Sequence, residues 1–264
     1  MKYFVSSDIH GFYDEWIKAL KEKGFDKNNP NHKLIICGDL FDRGNQAKNI
    51  YEYINKLNKD KYIYIRGNHE DLLFDCYNEI INDTSVSEHH ISNGTLDTIV
   101  QFSDIDLFMI LMGFDLDKVK KKMKPILNFV NKSVNYYETK NHIFVHGWIP
   151  CNSTAKKAYY TRDVKLTKKP DWRKANKKEW EFARWINGIE AWSQGIKEEN
   201  KTIVCGHWHC SSLWHLLYPD KYDEFGEKEN FTTCKASGII AIDGCTAHSH
   251  IVNVEVIDDE EVET

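Results

Sequence analysis

No uninterrupted apolar run approaches ~20 residues, so nothing in the sequence reads as a transmembrane helix. Met1-Lys2-Tyr3-Phe4-Val5 gives way at once to polar residues, too short a stretch for a secretory leader. Internal repeats, low-complexity tracts and Pro/Gly/Ser-rich linkers are all absent; the five prolines and fourteen glycines are scattered, which argues against repeat arrays and tethered modules. The seven cysteines are odd in number and follow no repeating spacing, so they read as reduced thiols rather than a disulfide framework. A cytoplasmic protein without membrane contact is therefore expected. What is present points to a packed core: 41% hydrophobic and 13% aromatic residues exclude disorder. The 264 residues suit a single domain over 1–264, with a helical insertion around 84–132 and a basic loop around 152–178. Twelve histidines stand out.

Strand-like and helix-like patterns alternate through the first third. Lys2 to Val5, Leu34-Ile35-Ile36-Cys37 and Tyr62-Ile63-Tyr64-Ile65 read as strands. Between and after them, Phe12/Trp16/Leu20, Ala47/Ile50/Ile54/Leu57 and Leu72/Leu73/Cys76/Tyr77/Ile80 repeat at helical spacing, and Gly24 supplies a helix stop. This β-α-β-α-β-α order implies an α/β fold with a parallel sheet and right-handed crossovers. Further on, Leu116, Val119, Met123 and Val130 form a helical stripe that Pro125 should kink or end. Strands are expected at 133–138, 143–145, 202–205, 239–242 and 251–256, and a helix at 179–192.

Each strand stops in the same style. The early ones end in Ser7-Asp8-Ile9-His10-Gly11, Gly38-Asp39-Leu40-Phe41-Asp42-Arg43-Gly44 and Arg66-Gly67-Asn68-His69-Glu70; later ones end in Val145-His146-Gly147 and Gly206-His207-Trp208-His209. In parallel sheets the carboxyl ends of strands gather functional groups. Asp8, His10, Asp39, Asn68, His146, His207 and His209 form a mixed nitrogen and oxygen donor set suited to manganese, iron, zinc or nickel. In Asp8-x-His10 on an extended segment, residues two apart face the same way and can share one ion, and His207-x-His209 would repeat that geometry. A lone histidine is more often a surface or core residue than a ligand, so the ordered set carries the argument.

The succession D-x-H, G-D-x-x-D-R-G, G-N-H-E, H-G and G-H-x-H resembles the calcineurin-like metallophosphoesterases. More narrowly, residues 39–44 and 66–70 look like the branch containing serine/threonine phosphoprotein phosphatases and bacterial diadenosine tetraphosphatases, and Ile242-Asp243-Gly244-Cys245 weakly echoes its closing strand. The resemblance implies two packed mixed β-sheets flanked by helices in four layers, and two divalent cations, manganese first among them, bridged by a carboxylate and a solvent molecule. Carried over, Asp8 and His10 hold the first metal, Asp39 bridges, and Asn68, His146 and His207 hold the second. His209 completes the first shell, a feature of the wider superfamily rather than of the phosphatase branch. A water between two cations about 3.5–4 Å apart yields hydroxide near neutral pH. It would attack phosphorus in line, with Arg43 on the phosphoryl oxygens, His69 as general acid and Asp42 orienting His69. Ser7 departs from the usual glycine, and a second phosphate-gripping arginine could be Arg162 or Arg184.

The activity so implied is phosphate-monoester hydrolysis of the serine/threonine phosphatase type. The alternatives are a symmetrical diadenosine tetraphosphatase and a non-catalytic scaffold; the Asp42-Arg43-Gly44 and Glu70 forms argue against a nuclease. The substrate is then a phosphorylated protein or a nucleotide, and nucleic acid is not expected; oligomeric state is left open. Lys156 to Lys178 carries a local charge of +8 within a net −5, read as a solvated loop or a phosphate-attracting rim. His32, His89, His90 and His215 are expected on the surface, His142 in a structural role, and Trp180, Trp185 and Trp192 in packing. His248 and His250 could approach the site. Cys37 and Cys205 should be buried and inert.

Overall fold

The computed structural model describes residues 1–82, 85–154 and 164–261. Strands β1 (Lys2–Ser6), β2 (His32–Cys37) and β3 (Tyr62–Ile65) pair in parallel, and β11 (Glu255–Asp258) closes the sheet antiparallel to β1, in the order β11-β1-β2-β3. A second sheet runs β4 (Tyr137–Glu138), β5 (His142–Phe144), β8 (Thr202–His209), β10 (Ile239–Asp243), β9 (Cys234–Ala236), with β5, β8 and β10 parallel. A two-stranded ribbon, β6 (Cys151–Ser153) with β7 (Leu166–Lys168), overlaps the segment expected to be loop over 152–178.

The two mixed sheets pack face to face. Tyr3, Val5, Ile35, Cys37 and Ile65 from the first meet Phe144, Val204, Ile240 and Ile242 from the second. This explains the continuous apolar runs: a strand covered on both faces has no solvent side to alternate toward. The outer face of the first sheet is covered by α1 (Tyr13–Glu22), α2 (Ala47–Asn55), α3 (Asn68–Ile81), α5 (Thr95–Ser103) and α7 (Leu116–Val130), whose Trp16, Ile50, Leu73, Ile99 and Met123 share one core with Leu34 and Ile36. Helices α8 (Lys177–Ala183), α9 (Gly188–Ser193) and α10 (Cys210–Leu217) cover the second sheet, burying Trp180, Ile189 and Leu213. Short helices α4 (Glu88–Ser92), α6 (Leu107–Leu111) and α11 (Thr246–Ser249) complete the set among the described residues. Among the described residues, no helix is long and apolar enough to cross a membrane.

Local differences from the sequence expectation have identifiable causes. Pro125 sits inside α7 without ending it; the residue is exposed, so the carbonyl it leaves unbonded can be served by water. The strand expected over 133–138 shrinks to Tyr137–Glu138, with Val134 bridging Ile65 alone. The expected helix over 179–192 divides into α8 and α9, because Asn187 caps α9 by accepting from the N–H groups of Ile189 and Glu190.

Candidate metal centre

Six strands place their carboxyl ends at one edge of the two sheets. Asp8 and His10 follow β1, Asp39 follows β2, Asn68 and His69 follow β3, His146 follows β5, His207 lies within β8, and Asp243 ends β10. Asp8, His10, Asp39, Arg43, Asn68, His69, His207 and Asp243 line one cleft of about 450 Å³. His146 lies buried beneath it.

The turns that deliver these side chains are not extended. Asp8, His10, Asp39, Asp42, Arg43 and His207 all have φ between 48° and 69°, a left-handed region uncommon outside glycine. The side chains of Asp8 and His10 thus meet through two left-handed turns beyond β1, not through strand alternation. Such backbone costs of order 1 kcal/mol or more per residue and persists only where surrounding contacts over-determine it. Glu70 supplies much of that determination. Its carboxylate accepts from Asp39 N (3.0 Å), Leu40 N (3.0 Å) and Gly67 N (2.6 Å), tying the β2 turn to the start of α3. Ser7 Oγ donates to Asp8 Oδ2 or to Cys37 O at 2.7 Å, so the serine found in place of glycine links the first two turns.

Apart from the His69 backbone N–H, which donates to Asp39 Oδ1 at 3.0 Å, the side-chain atoms facing Asp39 are acceptors facing acceptors. His146 Nδ1 lies 2.7 Å from the Cys37 carbonyl, which can only accept, so Nδ1 carries the proton. Burial pushes this imidazole below its ordinary range and keeps it neutral. Its bare Nε2 therefore faces Asn68 Oδ1 at 2.7 Å and Asp39 Oδ1 at 3.4 Å. His10 repeats the pattern. Nδ1 sits 3.1 Å from Phe41 O, and Nε2 faces Asp39 Oδ2 at 3.7 Å and Asp8 Oδ1 at 3.9 Å. Burial holds the His10 and His207 rings well below the usual histidine range. Burial, with Asp8 and Glu70 nearby, drives the Asp39 carboxyl well above its ordinary value, and Asp8 is pushed up to about 6 by burial. Convergent lone pairs, and buried carboxylates whose donors are neutral, among them the N–H groups of His207 on Asp8 and of His69 on Asp39, are what divalent cations neutralise, so the residues fit two ions with Asp39 between them. Ligand atoms of Asp39, His146 and His207 lie within 4.8 Å of one another, as do those of His10, Asp39 and His69.

His209 is not brought into either group. Its Nε2 lies 3.1 Å from Glu224 Oε1, and its ring packs on Trp208 and Phe225. The cause is in β8. Cys205 pairs with Ala241 and His209 with Asp243, so three residues bulge opposite one, and His207 turns left-handed. The two-residue alternation expected of His207-x-His209 is lost there. Asp243 takes the vacated wall, buried and lining the cleft, its carboxyl pushed up to about 7 by burial and then by Asp8. In the sequence Asp243 stands out only within the closing-strand echo Ile242-Asp243-Gly244-Cys245 and not as a candidate site residue, although Ile240-Ala241-Ile242-Asp243-Gly244 ends like the Asp39 strand.

Other placements differ as well. Arg184 is buried and held by Asp71 Oδ2 (2.7 Å) and Asn135 Oδ1 (3.1 Å), and does not line the cleft; Arg162 lies outside the described residues. Trp185 lines the cleft, edge-on to His207, instead of only packing, and His89, exposed as expected, lines it too. His90 is buried, contrary to its expected surface position. His248 and His250 remain exposed at Glu229 and Glu15, outside the cleft lining. His142 bonds Asp259 at 2.7 Å. Of the basic segment, Arg173 is paired with Glu138 and Glu198, and Lys169 with Glu179; residues 155–163 lie outside the described set.

A methyl group at Gly206 would collide with Ser7 Oγ and Asp8 Oδ2. Gly206→Ala is expected to destabilise the fold by about 1–3 kcal/mol and to weaken cation binding at the Asp8 side, measured by thermal melting and titration calorimetry. Wild-type melting and affinity would show that the turn relaxes freely.

Two packed mixed sheets, flanked by helices and carrying buried carboxylates and imidazoles at their shared edge, define a phosphoester-hydrolase architecture. The chain belongs to the calcineurin-like phosphoesterase family, whose profile matches residues 1–252. It is 35% identical over 81 residues to an asymmetrical bis(5'-nucleosyl)-tetraphosphatase of Bacillus velezensis, covering 28% of this chain and 32% of that protein. It is 29% identical over 127 residues to a symmetrical bis(5'-nucleosyl)-tetraphosphatase of Buchnera aphidicola, covering 48% and 42%. The matched region thus spans less than half the length of these curated relatives. A protein-tyrosine phosphatase of a psychrophilic Shewanella species shares the fold, with a TM-score of 0.54 at 16% identity over 97% of this chain and 75% of that one.

Proposed function

We propose that this protein is a dinuclear-metal phosphohydrolase that cleaves dinucleoside polyphosphates, by the symmetrical cut. The observation supporting the chemistry is the opposition of bare His10 and His146 nitrogens to the two oxygens of Asp39. Asp8, His10 and Asp39 would hold one cation, and Asp39, Asn68, His146 and His207 the other. When bound, the pair supplies a water acidified to near neutral pH and charge to offset the phosphoryl oxygens.

The chain's own residues would handle the rest. Arg43 lines the cleft with its Nη2 3.4 Å from His69 Nε2, so one guanidinium can reach the phosphoryl group beside the leaving oxygen. His69 Nδ1 lies 2.7 Å from Asp42 Oδ2, which turns Nε2 into the cleft. As water oxygen bonds to phosphorus, the phosphorus bond to the leaving oxygen breaks. His69 Nε2 gives that oxygen a proton and is recharged from solvent, and the attacking water releases one proton.

The nucleotide reading is preferred to the phosphoprotein one because both relatives above are named as nucleosyl tetraphosphatases. Incubation with diadenosine tetraphosphate and manganese should yield ADP as sole product, stopped by chelator, with slower turnover of phosphopeptides. ATP with AMP would assign the asymmetrical cut. Faster phosphopeptide turnover would restore the protein-phosphatase reading, and full activity without metal would defeat the mechanism.

A further inference from the structure

The helical region after α3, which carries none of the family motifs, reaches back toward the site not only at His89 on the cleft wall but also at Asp42. Thr95 Oγ1 donates to Asp42 Oδ2 at 2.8 Å, and Thr98 Oγ1 donates to Asp42 Oδ1 at 2.6 Å while accepting from Asp42 N at 2.9 Å. Both threonines are fully buried and Asp42 is 1% exposed. Each hydroxyl has one proton, and each spends it on this carboxylate. Thr98 also lies 3.3 Å from Gly94 O, a poorer partner than Asp42.

The contact is not incidental to packing. Gly94, Thr95, Thr98 and Gln101 recur at the three- and four-residue spacing of one helix face, and all four meet the turn over 42–47. Gln101 Nε2 donates to Gly44 O (3.0 Å) and its Oε1 accepts from Ala47 N (3.0 Å). A side chain at Gly94 would stand 2.5 Å from Arg43 N. Asp42 itself sits in left-handed backbone, at φ 69°, and among the described residues Thr98 alone bonds both its N–H and its carboxylate, tying the main chain and the side chain of that turn to α5.

We infer that Thr95 and Thr98 on α5 are positioning residues for proton transfer. They lock the Asp42 carboxylate so that one oxygen receives His69 Nδ1–H and His69 Nε2 stays aimed at the leaving group. This rests on the hydrolase reading above. It makes the α4–α7 segment part of the catalytic apparatus, since α5 alone among the described elements donates side-chain hydroxyls to Asp42.

The test compares wild type, Thr95→Val/Thr98→Val and Thr95→Ser/Thr98→Ser, all manganese-loaded. Phenyl phosphate, whose phenoxide leaves poorly without a proton, is set against p-nitrophenyl phosphate, whose nitrophenoxide leaves well. With general acid catalysis worth roughly 10²–10⁴-fold, the valine pair should lower kcat on phenyl phosphate by about 10–100-fold and on p-nitrophenyl phosphate by about threefold or less. KM and metal content should be unchanged, and the serine pair should restore both rates. Equal falls on the two substrates, a fall that tracks metal loss, or no fall overturns the inference. If the valine pair does not fold, Thr95→Val alone, which leaves Asp42 N bonded, should show the same selectivity at smaller size, and equal falls again count against it. If wild type hydrolyses neither ester, its activity on diadenosine tetraphosphate tests the hydrolase reading separately. The His69 Nδ1 proton resonance then decides: a downfield signal in wild type and the serine pair that is lost with valine supports positioning, and one unchanged with valine refutes it.

Discussion

His69→Asn is expected to lower kcat by about 10²–10⁴-fold, the usual worth of a positioned acid, while bound metal stays at the wild-type level. The geometry makes this a sharp test, because two roles compete for one ring. His69 Nε2 lies 3.9 Å from Asp39 Oδ2 and belongs to a group with His10 and Asp39 close enough to hold an ion. Yet Asp42 fixes Nδ1 from the opposite side, and the backbone N–H of His69 donates to Asp39 Oδ1 at 3.0 Å. A ligand's loss would take the metal with it, whereas an acid's loss leaves metal and removes proton transfer. Steady-state kinetics on phenyl phosphate, whose phenoxide needs a proton to leave, with elemental analysis of the same samples separates them. Metal lost in step with activity would make His69 a ligand.

Manganese should raise the melting temperature by about 10 °C at pH 8 and by far less at pH 5. A ligand at 1,000 times its Kd stabilises by about 4.1 kcal/mol, and each kcal/mol moves a domain of this size by roughly 2–4 °C. The pH dependence follows from which groups must lose protons. The His10, His146 and His207 rings are already held neutral by burial, so they cost the metal nothing. Asp8, at about 6, and Asp39, raised well above its ordinary 3.8, keep protons in the metal-free fold that the cation must displace. Each unit of pH below such a value costs about 1.4 kcal/mol per proton. The metal-free baseline itself moves less. The raised carboxyls make the fold bind more protons than the unfolded chain, so their contribution to stability falls as pH rises from about 4 toward 7. The depressed imidazoles bind fewer, so theirs grows until about 6.5. Equal metal-induced shifts at both pH values would contradict the assignment of Asp8 and Asp39 as ligands.

Much of this site was legible because the strands are short apolar runs that stop abruptly at Asp, His, Asn and Gly. Burial on both faces requires the apolar run, and catalytic polarity requires it to stop, so the boundary is written in composition. Alternation along an extended chain was the wrong device for bringing Asp8 to His10, however. Left-handed turns do that, held by Glu70 and Ser7, residues thirty or more positions away from some of their partners. His209 failed to join for a related reason: a bulge in β8 is set by pairing with β10, and pairing is not a local property. Trp185 and His89 look like packing or surface residues in sequence, and become cleft walls only when α4 and the α8–α9 turn approach the metal edge.

The sequence by itself determined the fold class, the strand ends and most of the candidate donors, because those follow from periodicity and residue chemistry over short spans. Tertiary structure alone decided that His10 and His146 present bare nitrogens to Asp39, that Asp243 rather than His209 faces the cleft, and that Thr95 and Thr98 grip Asp42. Those outcomes depend on where separate elements meet and on which hydrogen-bond partner each buried proton finds, and both are fixed only when the sheets and helices pack.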